Sequence, residues 1–331
     1  MITEPAKALP LSAIEAASER LAGQAVATPL VSNGELDRRT GGQVLLKCEN
    51  LQRTGSFKFR GAYNTIASLS ESERARGIVA VSSGNHAQGV AEAARMFGVP
   101  ATICMPGDAP AVKTARVRRS GAQIVPYNRQ KDDRNAMAEA LALEKDAIFV
   151  RPYDDYRVMA GQGTAGLEAA KALQSLDLTP DIGLVCCGGG GLCAGVSTAW
   201  RAAFPDMAIY AVEPDGFDDT KRSLQAGQRL ENETGKRSIC DAILTERPGA
   251  LTFPVNVANG VEGLTVSDDE VLAAMAFAFH ELKMVLEPGG AVCLAALLTG
   301  RLDVTGKTVV AVLSGGNVDS SMMDRALASV A

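Results

Sequence analysis

Histidine is nearly missing from this chain of 331 residues: His86 and His280 are the only two. Metal centres built from imidazole and thiolate need several such ligands at set spacings, so a zinc site is not expected. The seven cysteines fall in no paired spacing, although Cys186, Cys187 and Cys193 flank a glycine run. They read as small buried hydrophobes in a reducing compartment. No basic tract exceeds two residues and the formal charge is −5, which leaves little to attract nucleic acid or an anionic membrane. The longest apolar stretch, Val271 to Phe279, is too short to span a bilayer. The opening Met1-Ile2-Thr3-Glu4-Pro5 lacks the charged-then-apolar pattern of a secretory signal, so a cytoplasmic protein is expected. Aromatics are scarce at 5%, whereas hydrophobic residues reach 47% and glycines number 33. That balance of small aliphatic residues suits an α/β enzyme long enough for two lobes.

Strand-like and helical runs alternate along the chain. A helix is expected over Leu11 to Leu21, a loop at Thr28-Pro29-Leu30 and a strand at Gln43 to Glu49, with a helical pattern opening at Ala62. Short strands then fall at Gly77 to Val81, Ala101 to Met105, Gln123 to Tyr127 and Ala147 to Arg151. Helices separate them at Ala87 to Phe97, Val112 to Arg119 and Asp132 to Glu144. Downstream, Gly161-Gln162-Gly163-Thr164 opens a helix through Ala172, and further strands follow at Ile182 to Cys187, Ala208 to Glu213, Gly263 to Val266 and Thr308 to Leu313. Helices lie over Leu192 to Phe204, Asp268 to Lys283 and Gly290 to Leu298, and Asp215 to Ala250 reads as polar loop. Strands separated by helices imply open parallel sheets, whose ligands sit beyond the carboxyl ends of the strands.

Three stretches carry chemistry. Lys58 lies between Phe57 and Phe59 at a strand-to-helix junction; desolvation there lowers an amine's pKa and makes it a better nucleophile toward aldehydes. Gly188-Gly189-Gly190-Gly191 stands between a buried strand and a helix. Only glycine lets successive backbone N–H groups close on an anion, and neither a Walker lysine nor a G-x-G-x-x-G spacing is present, so a phosphate monoester is the expected ligand. Ser82-Ser83-Gly84-Asn85-His86 is a second anion-friendly turn, suited to a carboxylate, in which Asn85 can donate to a phenolic oxygen. His86 reads equally well as structural or functional.

These stretches, with Ser314-Gly315-Gly316-Asn317, occur in an order and spacing that resembles the fold type II pyridoxal-phosphate enzymes. Within them the chain looks like the branch of threonine/serine dehydratases and serine racemase; Ala160 to Thr164 and Leu286 to Ala291 are similar to that branch as well. The resemblance implies two open parallel-sheet lobes with the cofactor between them: a large lobe from residues 1–70 and 152–331 and a small one from 71–151. Lys58 would hold pyridoxal 5'-phosphate as a Schiff base, Phe57 would pack beside the ring, Asn85 would meet its hydroxyl, Gly188, Gly189, Gly190 and Gly191 would cradle the phosphate, and Ser314 would face the pyridine nitrogen. A neutral hydroxyl there weakens the electron sink and favours prompt loss of a β-substituent.

The implied activity is dehydration and deamination of L-threonine or L-serine to a 2-oxo acid and ammonia. Alternatives are a 3-hydroxyaspartate ammonia-lyase, a serine racemase, or a β-replacement synthase of the cysteine-synthase type. The last group shows Ser-Val-Lys and Thr-Ser-Gly-Asn-Thr where this chain has Ser56-Phe57-Lys58 and Ser82 to His86. Substrate binding would fall to Ser82, Ser83, Gly84, Asn85 and His86, with Ser83 a second proton carrier or a carboxylate ligand. Arg134 would face the substrate, unless it pairs with Asp132, Asp133 or a neighbouring acidic side chain, and Thr245 would offer the β-hydroxyl a hydrogen bond. Glu213, the Phe217 carbonyl and Asp219 resemble a loop that holds Mg²⁺ or another divalent cation. Ala87 and Ala242 depart from glycines common in the branch. The absence of residues after Ala331 argues against isoleucine feedback, and the resemblance implies a homodimer acting on a small amino acid.

Overall fold

The structure, a computed structural model, describes residues 8–109, 111–128 and 131–330; Met1 to Pro5 and Ala331 lie outside them. Among the described residues ten strands form two sheets: β1 (Leu30–Ser32), β2 (Gln43–Cys48), β3 (Ile78–Val81), β4 (Ala101–Pro106), β5 (Gln123–Tyr127), β6 (Ile148–Phe149), β7 (Ile182–Cys186), β8 (Ala208–Pro214), β9 (Val261–Val266) and β10 (Thr308–Leu313). The larger sheet runs β1-β2-β10-β7-β8-β9 and the smaller β5-β4-β3-β6. Every pairing is parallel except β1 against β2. β7 is buried along its whole length and β10 beyond its first residue, as expected of central parallel strands covered by helices on both faces. The carboxyl ends of β2, β10 and β7 are therefore neighbours, and the Lys58 segment, Ser314 and the glycine run leave from one edge.

Several elements differ from expectation for physical reasons. The helix carrying the lysine begins at Lys58 itself and runs to Ala67. Gly161 and Gly163 do not open a helix; they lie inside the helix Tyr156–Ser175, capped at its start by Asp155. Their role is close approach. A Cβ on Gly161 would stand 2.6 Å from the Arg60 carbonyl oxygen, and one on Gly163 2.8 Å from that of Gly195. This helix thus wedges between the lysine-bearing helix and the helix Gly191–Ala203. The segment expected as loop from Asp215 to Ala250 contains the helix Asp219–Ala226, and the helix from Asp268 turns to π geometry over Ala278–Leu282. Loop was expected at Leu30, which instead starts the edge strand β1.

A buried ionic network fixes the lysine-bearing helix. Arg60 is fully buried and bonds Glu49 through Nε at 2.7 Å and Glu168 through Nη1 at 2.7 Å, while Lys47 reaches Glu168 at 2.6 Å. Burial opposes ionisation of Glu49, yet Arg60 holds its carboxyl below the usual range. Removing one partner of such a group strands the other in a dry interior, at about 3–5 kcal/mol.

Candidate active site

Lys58 is half-buried at the first turn of its helix, with Nζ 5.1 Å from the centre of the Phe57 ring. The ammonium donates to the Pro152 carbonyl oxygen at 2.8 Å. Burial lowers its pKa to about 8, against the opposing pull of Cys186 and Glu287. Phe57 is anchored through its N–H to the Ser314 carbonyl oxygen at 3.1 Å, and Ser56 bridges to Gly315. The lysine segment and the loop after β10 are thereby one unit.

The glycine run has no room for side chains. A Cβ on Gly189 would overlap the Tyr153 ring; one on Gly191 would stand 3.0 Å from Tyr153 backbone, and one on Gly188 3.0 Å from Ile243 backbone. Gly190 has φ +89° and closes against Thr252 and Asn256. Thr252 Oγ1 donates to the Gly189 carbonyl oxygen at 2.6 Å. Among the described residues none of the four N–H groups from Gly188 to Gly191 finds an acceptor, and they meet the amino end of the helix Gly191–Ala203. Unpartnered N–H groups at a helix start suit an anion such as a phosphate. The residues present fit pyridoxal phosphate.

At the end of β3 the turn holding Ser82, Ser83 and Gly84 leads into the helix Asn85–Phe97. Gly84 N–H is taken by Ser82 Oγ at 3.1 Å, and Ser83 is half-buried. Asn85 is buried; its Nδ2 donates to Glu287 Oε1 at 2.6 Å. His86 is buried, with Nε2 on the Val150 carbonyl oxygen at 2.9 Å and Nδ1 unpartnered. A carbonyl only accepts, so Nε2 carries the proton. Burial, helped by the Lys58 charge, lowers its pKa to about 3, which keeps the ring neutral. Ala87, also fully buried, adds no polar group. Ser314 is buried at the end of β10 and hydrogen-bonds the Cys186 thiol, whose pKa burial pushes up to about 12.

Behind the cradle lie Glu213 and Asp219. Glu213 accepts from the N–H groups of Thr220 and Lys221 at 2.9 and 2.8 Å. Asp219 takes Asn232 Nδ2 on Oδ1, while its Oδ2 is buried without a partner. Burial, reinforced for Glu213 by the facing Asp219, raises both carboxyls, that of Asp219 to about 7. Among the described residues no three metal-ligating side chains stand together, so a cation here would need carbonyl and water oxygens. Arg134 begins the helix Arg134–Glu144 and is exposed. It does not pair with Asp132 or Asp133, which are taken up by the N–H groups of Asn128, Asn135 and Ala136. Its charge instead reaches Tyr153, whose pKa is raised by burial and by Asp154. Thr245 Oγ1 is buried and unpartnered.

Sequence reasoning gave no role to Pro152, Tyr153, Cys186 or Glu287. Glu287 sits in a stretch singled out only as a whole, and Tyr153 packs through its ring, which leaves no mark on local sequence.

The sequence profile of the pyridoxal-phosphate dependent enzymes matches residues 22–315. Among curated relatives, L-threo-3-hydroxyaspartate ammonia-lyase of Pseudomonas sp is 45% identical over 92% of this chain and 93% of its own. L-threonine ammonia-lyase of Thermotoga maritima is 44% identical over 90% of this chain and 73% of its own. Among solved structures, the threonine deaminase of T.th. superposes with a TM-score of 0.88 at 42% identity, covering 94% of this chain and 99% of that one. The chain belongs to the pyridoxal-phosphate dependent enzyme family, with the two-lobed fold type II architecture.

Proposed function

We propose that the protein dehydrates and deaminates L-threonine and L-serine to a 2-oxo acid and ammonia. The observation that carries this reading is the Lys58 amine, with its pKa lowered to about 8, on the same connecting segment as the glycine cradle: it donates to Pro152, and the next residue packs on Gly189. When bound, pyridoxal phosphate supplies an aldehyde carbon and a sink for negative charge at the substrate's α-carbon.

The N–H groups of Gly188 to Gly191 would hold the phosphate, and Phe57 would flank the ring. Asn85 Nδ2 would donate to the ring oxygen, and Ser314 would offer the ring nitrogen a neutral hydroxyl. Lys58 Nζ, as free base, would be the group that holds the aldehyde carbon. The same Nζ would carry the substrate's α-proton. Ser82, Ser83 and Gly84, with the amino end of the helix Asn85–Phe97, bind the carboxylate and orient the α-carbon. Neutral His86 lines that pocket. Loss of the β-hydroxyl together with a proton, as water, would leave the enamine, which takes up one water to give the 2-oxo acid and ammonia. The large lobe comprises residues 1–70 and 152–331 and the small lobe 71–151, which closes to exclude water.

Glu213, Asp219 and the Phe217 carbonyl hold a divalent cation such as Mg²⁺; the orphaned Asp219 Oδ2 supports this. A homodimer is supported by the exposed Val26, Leu51 and Val285, tied together through Gln52 on Val26 and Asn50 on Val285. A second substrate, 3-hydroxyaspartate, is supported by the unpaired Arg134.

Assay of 2-oxo acid from L-threonine, L-serine and 3-hydroxyaspartate tests the reading. Keto acid from at least one of them is expected. Product formed only when sulfide is added to an activated serine would replace elimination by β-substitution.

A further inference from the structure

We infer that Arg116 is a positioning residue that, together with the Thr54 carbonyl and Glu287, fixes which end of the Asn85 amide faces the cofactor. The inference rests on the proposed contact between Asn85 and the ring oxygen. Arg116 lies on the helix Ala111–Arg119, which packs beside the smaller sheet; Asn317 follows β10 of the larger one. Arg116 Nη1 donates to Asn317 Oδ1 at 2.9 Å. Asn317 Nδ2 donates to the Thr54 carbonyl oxygen at 2.7 Å and to Asn85 Oδ1 at 2.8 Å. Asn85 Nδ2 donates in turn to Glu287 Oε1 at 2.6 Å.

The order of donors in this chain has one solution. A guanidinium has no acceptor, so Asn317 must turn its oxygen to Arg116. Its amide nitrogen then faces Thr54 and Asn85, so Asn85 must answer with its own oxygen. Asn85 is left with Nδ2 toward Glu287, and the second N–H of that nitrogen is the one available to a phenolic oxygen. An amide is nearly symmetric in shape, and only its partners decide between the two orientations. The reversed Asn85 would set oxygen against the Glu287 carboxylate. Asn317 lies close over Gly55, whose lack of a Cβ leaves it room: a Cβ there would stand 2.7 Å from Asn317 Oδ1. Since Arg116 sits on a helix beside the smaller sheet and Asn317 follows a strand of the larger one, the orientation of Asn85 depends on these two parts of the chain being packed together.

The test uses holoenzyme carrying Arg116→Met, Arg116→Lys or Asn317→Asp. Two quantities are read: the ratio of the bound cofactor's two absorption bands, which reports whether the ring oxygen is ionised, and kcat/KM. Arg116→Met is expected to shift the ratio toward the protonated ring oxygen and to lower kcat/KM about tenfold. Arg116→Lys keeps a donor to Asn317 and stays within about twofold of the parent. Asn317→Asp keeps a partner for Arg116 but loses the Nδ2 donor, so it behaves like Arg116→Met. A parental band ratio in Arg116→Met overturns the inference, as does an Arg116→Lys variant perturbed as much as Arg116→Met, or an Asn317→Asp variant like the parent. Should Arg116→Met not fold, the other two variants decide. Parent enzyme showing neither band would overturn the cofactor contact itself, a different outcome from a parental ratio in the variants.

Discussion

Lys58 and Tyr153 are joined by one peptide link: the lysine ammonium donates to the carbonyl oxygen of Pro152 at 2.8 Å, and the next residue lays its ring on Gly189. The following Asp154 accepts from the N–H groups of Ala250 and Leu251 at 3.0 and 2.7 Å, and Asp155 caps the long helix that braces the lysine. Four consecutive residues, Pro152 to Asp155, thus hold the nucleophile, the cradle floor, the turn behind the cradle and the supporting helix.

The first prediction concerns the charge on Lys58. Its pKa falls from 10.5 to about 8 in the folded protein. Between these values the unfolded chain binds more protons, so stability rises with pH across that window, and the penalty is complete below about pH 8. Cofactor-free Lys58→Met should melt above the parent near neutral pH, and the gap should close as pH approaches 10.5. A gap independent of pH would mean that the amine is not desolvated. In the holoenzyme, loss of the lysine should lower kcat by about 10⁴-fold.

Gly189→Ala is predicted to fail through Tyr153. The new methyl would overlap the ring, so either the ring or the cradle must move. Cofactor affinity should fall by more than about tenfold in Gly189→Ala, and far less when the same change is made in Tyr153→Ala. The measurement is cofactor titration by fluorescence across the double-mutant cycle. Additive losses would show that the loop, not the ring, sets the limit.

What could be read from sequence follows from how local each signal is. Lys58, the glycine run and Ser314 stand out in the sequence because each follows a strand-like run, and the structure brings the ends of those strands side by side. Gly161 and Gly163 were visible as glycines but not as a helix interior, because the reason for them is the Arg60 and Gly195 backbone on other helices. Glu287 acts through Asn85, 202 residues away along the chain, and Tyr153 through a ring contact with Gly189 across a whole intervening helix and strand. The edge strand β1 was hidden by the proline just before it, which reads as a turn from sequence and in the folded chain accepts the Cys48 N–H at 3.1 Å.

The carboxylate pair makes a third prediction. Addition of Mg²⁺ to metal-stripped protein should raise the melting temperature by about 3 °C or more, and Asp219→Asn should abolish the response while folding normally. Neutralising Asp219 removes the carboxylate charge whose Oδ2 finds no partner among the described residues and relieves the repulsion that, after burial, raises the Glu213 carboxyl. If parent and variant respond to Mg²⁺ alike, the cation binds elsewhere.

The last prediction separates the two substrates. Threonine and 3-hydroxyaspartate differ at the β-carbon, one bearing a methyl and the other a carboxylate, so the question is whether a cation faces that position. Arg134 heads a helix of the smaller sheet's lobe with its neighbours Asp132 and Asp133 taken up by backbone N–H groups, and its charge already reaches Tyr153 at the cradle. A guanidinium fork on the extra carboxylate adds a charge-assisted pair that a methyl cannot accept. Thr245, whose buried hydroxyl lacks a partner among the described residues, would serve the β-hydroxyl common to both amino acids and so should not discriminate. Arg134→Ala is therefore expected to lower kcat/KM for 3-hydroxyaspartate about tenfold, or about 1.4 kcal/mol, and to leave threonine within about twofold. Thr245→Val should lower both to a similar degree. Comparison of kcat/KM for the two substrates across these variants is the measurement. Equal losses in Arg134→Ala would place the arginine on the α-carboxylate instead, and no loss with either substrate would leave it outside the pocket.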